Sequence, residues 1–288
     1  METTSNSQGT SMKKDQIKRI GWINNRWVEI DEFCLPICDR GLQMADGIFE
    51  TILILNGQPK LLNEHLNRWQ YSASILGMSS PPKLNWLEPL IEEGLERTSL
   101  NQGSLRLNWT RGNNLTRGIT LPKKTSKFDA HRFWLELNSY EPVFHTKSIV
   151  ISQLERRNQN SLLSKCKTFA YNQAIQARKE ANDAGFDDAL ILNTNGEVCC
   201  GTTSNILVHR KNEWLTPRES SGCLPGIMRG EGIKKGIIKE AIIKKEPEEG
   251  DHWVFINSLS CHPISSVNNK SLKILKNTKE LWETLLTR

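Results

Sequence analysis

Residues 165–206 read KCKTFAYNQAIQARKEANDAGFDDALILNTNGEVCCGTTSNI, and three kinds of element follow one another within them. Phe169, Ala170, Ala174, Ile175, Ala177 and Ala181 recur at intervals of three and four, which predicts a helix over 167–184 with one small, apolar face. Asn182 and Gly185 supply its stop. The β-prone runs 188–193 and 197–200 flank Thr194-Asn195-Gly196, and Asn-Gly in that setting predicts a hairpin. Small and hydroxyl-bearing residues at 201–205 then feed a further strand over 206–209.

Lys165 and Lys167 stand at the mouth of the predicted helix, where a cation is unfavourable against the dipole and neither is needed as a cap. A buried lysine with a depressed pKa is a Schiff-base nucleophile, whereas most lysines are solvated. The residues alone leave both readings open.

Short motifs extend outward from this stretch in a fixed order. They are Asp39-Arg40-Gly41, then Asp46-Gly47-Ile48-Phe49-Glu50-Thr51, then Glu64-His65-Leu66-Asn67-Arg68, then RLNWTRG over 106–112. Lys167-Thr168, Glu180-Ala181 with Gly185, Gly201-Thr202-Thr203-Ser204-Asn205 and Leu224-Pro225-Gly226-Ile227 complete the series. Taken together, over about residues 20 to 270, this order resembles the class IV (fold-type IV) pyridoxal-phosphate enzymes. These are the branched-chain and D-amino-acid aminotransferases and 4-amino-4-deoxychorismate lyase.

The resemblance implies an α+β chain of two domains with a D-amino-acid aminotransferase-like fold. A smaller N-terminal domain carries an antiparallel sheet, and a larger, barrel-like C-terminal domain binds pyridoxal 5'-phosphate (PLP). It also implies a homodimer. Lys167 becomes the Schiff-base lysine, because the family sets that residue 13 before its Glu-Ala pair and Lys167–Glu180 is such an interval. Freed by the substrate amine, it would move the proton from and to carbon. Tyr171 resembles the tyrosine that bonds the cofactor ring hydroxyl. Arg68 resembles the arginine that holds the phosphate, joined by the loops at Gly226-Ile227 and Asn257-Ser258, whose backbone N–H groups suit an anion. Met228 stands where a threonine is usual, which removes a hydroxyl and leaves the backbone donors. His65 reads as packing or positioning within its helix. Arg106 and Arg111 are both candidates for a substrate carboxylate, or for ion pairs that only support the sheet.

Cys200 is the largest departure, since the family places there a glutamate that partners the pyridine nitrogen. A thiol is a weak donor and acceptor with an ordinary pKa of roughly 8.5. Glu197, three residues along a strand, points to the other face. A weakened electron sink favours elimination with aromatisation over transamination, and the loop Asn257-Ser258-Leu259 is similar to that of the lyase branch. The expected activity is therefore 4-amino-4-deoxychorismate lyase, releasing pyruvate and 4-aminobenzoate for folate synthesis. An aminotransferase and a non-catalytic PLP-binding homologue are the alternatives.

The remaining composition is consistent with a small-molecule enzyme acting on an amino substrate. The 288 residues suffice for two medium domains, and the net charge of +6 is spread along the chain without the basic, aromatic-laced stripe of a nucleic-acid binder. Seven cysteines without a CxxC pair, and six histidines without metal-ligand spacing, suggest reduced thiols in a cytoplasmic protein and no metal. Residues 1–17 are polar and lack the apolar core of a signal peptide, and no later run is long enough to span a membrane. The expected divisions are a disordered tail over 1–17, a first domain over 18–140, a linker over 141–148 and a second domain over 149–288.

Overall fold

The computed structural model describes residues 19–113, 117–121 and 131–287; the tail expected at 1–17 lies outside them. The first half is one antiparallel sheet with two long helices on one face. Its strands are β1 (Arg19–Ile23), β2 (Arg26–Glu29), β3 (Gly47–Leu55), β4 (Gln58–Pro59), β5 (Gln102–Thr110) and β6 (Arg132–Ser139), in the order β2-β1-β6-β5-β3-β4. The helices are α1 (Arg40–Met44), α2 (Leu62–Ile75) and α3 (Leu84–Thr98). Asn24 and Asn25 both adopt positive φ, +51° and +60°, which matches the twist of a two-residue hairpin.

Alternation along the strands divides this sheet's two faces. Ile48, Ile52, Leu105, Leu107, Leu135 and Leu137 are fully buried and pack with Trp69, Leu87 and Ile91 of the helices. The opposite face carries the cross-strand rows Phe49–Asn108–Trp134 and Thr51–Arg106–Glu136. That polar and aromatic face is the one turned toward the predicted lysine.

The second half is a mixed sheet of β7 (Lys147–Arg157), β8 (Asp188–Asn193), β9 (Val198–Gly201), β10 (Asn205–Arg210), β11 (Glu213–Pro217), β12 (Ile238–Ala241), β13 (His252–Asn257), β14 (Ser260–Val267) and β15 (Lys270–Ser271). The strand order is β12-β11-β10-β13-β14-β7-β8-β9, with β15 on β14. Gly201 at the end of β9 donates to the carbonyl of Ser204 just before β10, so the sheet curls back into a half-barrel. Ile149, Leu190, Val208, Trp253 and Phe255 fill one side. On the other side α5 (Ile227–Lys234) and α6 (Thr278–Leu286) pack through Met228, Trp282 and Leu285, and α4 (Asn172–Asp183) lies on β7 and β8. Among the described residues no helix is long and apolar enough to cross a membrane.

One predicted element shifts. The helix expected from 167 begins only at Asn172, because residues 167–169 are extended against β3: Phe49 N–H donates to Lys167 O and Phe169 N–H to Gly47 O, each at 3.0 Å. Phe169 is then wedged between Phe49 and Trp134, with ring centroids 5.9 and 5.8 Å away. Strand pairing and aromatic burial outweigh the local helical pattern. Ile175 consequently sits 56% exposed, while Ala177 and Ala181 alone form the buried stripe.

Candidate functional site

Lys167 projects from the extended run onto the polar face of the first sheet. Its Nζ donates to Tyr171 Oη at 3.2 Å and lies 4.5 Å from the centre of the Phe49 ring. Tyr171 immediately precedes α4, so this contact spans the approach to the helix rather than one of its turns. The amine forms no ion pair among the described residues.

Arg106 shares the same ring. Its guanidinium carbon stacks 3.8 Å from the Phe49 centroid, and Nε donates to Asn108 Oδ1 at 2.8 Å. Burial pushes its pKa below the usual arginine range, opposed by Glu136 and Tyr171. Among the described residues no carboxylate lies within ion-pair distance of it, and Asn108 Nδ2 beside it is buried without a partner. A cation and an amide in this state suit an incoming carboxylate. Arg111 does not share that role. Its Nε donates to both oxygens of Asp46, and its two terminal nitrogens to the carbonyls of Gly77 and Leu76, so the whole fork is committed to holding the end of β5.

At the opposite end, α2 delivers Arg68 beside the 224–228 turn. Arg68 grips Glu50 through Nε and Nη2 at 2.8 and 2.5 Å, and reaches Pro225 O through Nη1 at 3.1 Å. Glu50 also accepts from His65 Nδ1 at 2.7 Å, and His65 Nε2 meets Ser258 Oγ at 3.2 Å. Burial raises the Glu50 pKa, but Arg68 and His65 overcome it and hold the carboxyl at about 2. From the sequence Glu50 has no assigned role, and His65 only one of packing or positioning within its helix. The available signal was an acid inside the apolar strand GIFETILIL, on the face of Ile48 and Ile52.

Gly226 caps α5, whose first N–H groups have no helical partners. A Cβ at Gly226 would come 1.8 Å from Asn205 Oδ1, so the turn requires glycine for close approach, and Asn205 Nδ2 fastens it by donating to Leu224 O at 2.9 Å. Ile227 and Met228 turn their side chains into the core, which leaves their backbone N–H groups to face an anion. Asn257 Oδ1 accepts from Leu259 N–H at 2.8 Å and Ser260 Oγ at 3.1 Å, so its side chain shapes the turn that presents Ser258.

Cys200 faces α4 on β9, where the ladder skips Cys199. The Cys199 thiol turns toward Cys200 and lowers its pKa against burial, with help from Arg157, while Cys199 itself is pushed up. Among the described residues the nearby carboxylates of Glu197 and Asp188 are both engaged. Glu197 accepts from Asn193 Nδ2 at 2.9 Å and Ser221 Oγ at 3.0 Å. Asp188 is held by Lys147, Arg178 and Thr202.

Comparison with known proteins bears on this arrangement. The model of amino-transferase class IV matches residues 47–267. Branched-chain-amino-acid aminotransferase-like protein 2 of Arabidopsis thaliana is 28% identical over 242 residues, 81% of this chain but 41% of that protein's own length. Escherichia coli branched-chain amino acid aminotransferase superposes with a TM-score of 0.82 at 17% identity, covering 93% of this chain and 94% of that one. A Legionella pneumophila structure provisionally named 4-amino-4-deoxychorismate lyase gives 0.76 at 24% identity, covering 88% and 94%. These enzymes work with PLP, and PLP is this chain's cofactor. The residues fit it at two ends, a phosphate seat at Arg68, Gly226–Met228 and Ser258 and an amine at Lys167, and depart from the family at Cys200.

Proposed function

Because this chain belongs to the class IV aminotransferase family, we propose that it is the lyase variant of that chemistry, converting 4-amino-4-deoxychorismate to 4-aminobenzoate and pyruvate. Bound PLP supplies an electron sink conjugated to the substrate amine. Lys167, steadied by Tyr171, takes the proton from the ring carbon that carries this amine; the neighbouring carbon–oxygen bond breaks, the ring aromatises, and the departing enolpyruvate becomes pyruvate by taking up one proton at its methylene carbon. Arg106, stacked on Phe49, binds a substrate carboxylate.

One observation carries the choice of lyase. Cys200 occupies the position of the pyridine partner, and the nearby carboxylates of Glu197 and Asp188 are already committed. A thiol keeps the pyridine nitrogen protonated less well than a carboxylate, and an elimination driven by aromatisation tolerates that better than transamination does. The Legionella likeness supports the same reading at the level of the fold. Branched-chain or D-amino-acid aminotransferase is the second reading, favoured by the Lys167–Tyr171 contact and by the names of the relatives. Assaying both activities in the wild type and Cys200→Glu decides between them. The variant is expected to gain transamination, and a large transaminase activity already present in the wild type would sink the lyase reading. We further propose a cytoplasmic homodimer, in keeping with seven unpaired cysteines and with Leu154, Leu162, Leu163 and Ile175, all exposed.

A further inference from the structure

We propose that seating the phosphate of the cofactor beside Arg68 is coupled to uptake of a proton at His65 Nε2, with Ser258 reversing its hydrogen bond to serve the anion. The inference rests on the assignment of Arg68, the 226–228 turn and Ser258 to the phosphate, and it makes His65 a positioning residue for the cofactor.

The chain of contacts fixes the direction of each bond. Glu50 is fully buried and ionised, so it can only accept, and the hydrogen on His65 must therefore sit on Nδ1, 2.7 Å away. A neutral ring with Nδ1 protonated has Nε2 as an acceptor, so the Ser258 hydroxyl donates to it across 3.2 Å. In that state the Ser258 hydrogen is turned away from an anion at the loop mouth. An arriving phosphate meets the hydroxyl's lone pairs, unless the hydroxyl turns over and abandons Nε2 in an enclosed site. A proton taken from solvent onto Nε2 removes the conflict: Nε2–H donates to Ser258 Oγ, and Ser258 O–H donates to the phosphate.

The charges around His65 set the sense of the coupling. Glu50 on β3 favours the imidazolium, while Arg68 on its own helix and Lys167 on the extended run oppose it. Burial, the largest influence, together with these two cations holds the ring below the ordinary histidine range, so it is neutral near neutral pH before the anion arrives. A phosphate near its second ionisation brings ≈ −1.5 to −2 charge against those cations. Arg68 alone, already gripping Glu50 with two of its nitrogens, does not neutralise that charge.

The test uses the full chain and pyridoxine 5'-phosphate, which has no aldehyde and forms no bond to Lys167. Titration calorimetry near pH 7.5, in two phosphate-free buffers of different ionisation enthalpy, counts the protons taken up on binding. The probe's own ionisation is common to all variants and cancels. His65→Gln keeps a donor toward Glu50 and an acceptor toward Ser258 but cannot titrate. Wild type is expected to take up about half to one proton more per site than His65→Gln. Ser258→Ala, on a half-buried turn, cuts the relay without touching the buried pair and is expected to lose the same uptake. Equal uptake in all three proteins would overturn the proposal. Arg68→Met separates the two layers: it should weaken binding at least about tenfold, and unchanged affinity would move the phosphate seat elsewhere and take the proposal with it.

Discussion

Glu50→Gln is the most searching perturbation of the site, because it keeps the side chain's shape and removes only its charge. Glu50 is completely buried, accepts two N–H groups from Arg68 and one from His65, and sits in a row otherwise made of Ile48 and Ile52. Its carboxyl is held at about 2 against an ordinary 4.5, which corresponds to roughly 3 kcal/mol of stability. Removing one partner of a buried pair independently costs about 3–5 kcal/mol, since the Arg68 guanidinium, 9% exposed, is left without its counter-charge. The folded pKa is depressed, so the contribution is complete above pH 4.5 and is lost as the pH falls toward 2. Urea unfolding of the apoprotein, followed by tryptophan fluorescence, should therefore show Glu50→Gln about 3 kcal/mol less stable at neutral pH, with the gap narrowing as the pH falls below 4.5. A gap under about 1 kcal/mol at neutral pH, or one that does not narrow on acidification, would refute the reasoning.

Arg106→Leu removes an otherwise unpaired cation from the substrate side and should raise KM by about 10–100-fold with little change in kcat, read from steady-state kinetics. A loss confined to kcat would mean that Arg106 acts on the reacting atoms instead. Gly226→Ala forces a Cβ to within 1.8 Å of Asn205 Oδ1, so PLP affinity should drop at least about tenfold while unfolding stability falls by about 1–3 kcal/mol. Wild-type affinity in that variant, measured by equilibrium fluorescence titration, would show that the turn is not the phosphate seat.

Much of the arrangement could be read from residue order, and the exceptions have physical causes. Lys167 was found by its interval to Glu180, yet its backbone was misplaced, because the alternation KTFAY that pairs with β3 is too short to compete with twelve helix-forming residues behind it in a local reading. Arg106 and Arg111 looked equivalent, although five residues of extended chain put them on opposite faces, and that count would have separated the stacked guanidinium from the tethered one. The Glu50–His65–Ser258 chain joins residues 15 and 193 positions apart, from a strand, a helix and a turn, so no sequence window contains it. Met228, marked by the resemblance as a missing hydroxyl, proves to be a core residue whose side chain fills space beneath α5.

The central claim is that Lys167 runs an elimination and not a transamination at this site. The visible spectrum of the PLP-loaded protein tests it directly, recorded before and after L-glutamate, L-leucine and D-alanine, then with aminodeoxychorismate. The account predicts a cofactor band that borohydride fixes to Lys167, that the three amino acids leave in place, and that accompanies release of 4-aminobenzoate. Conversion of the band to the pyridoxamine form by any of those amino acids would contradict it.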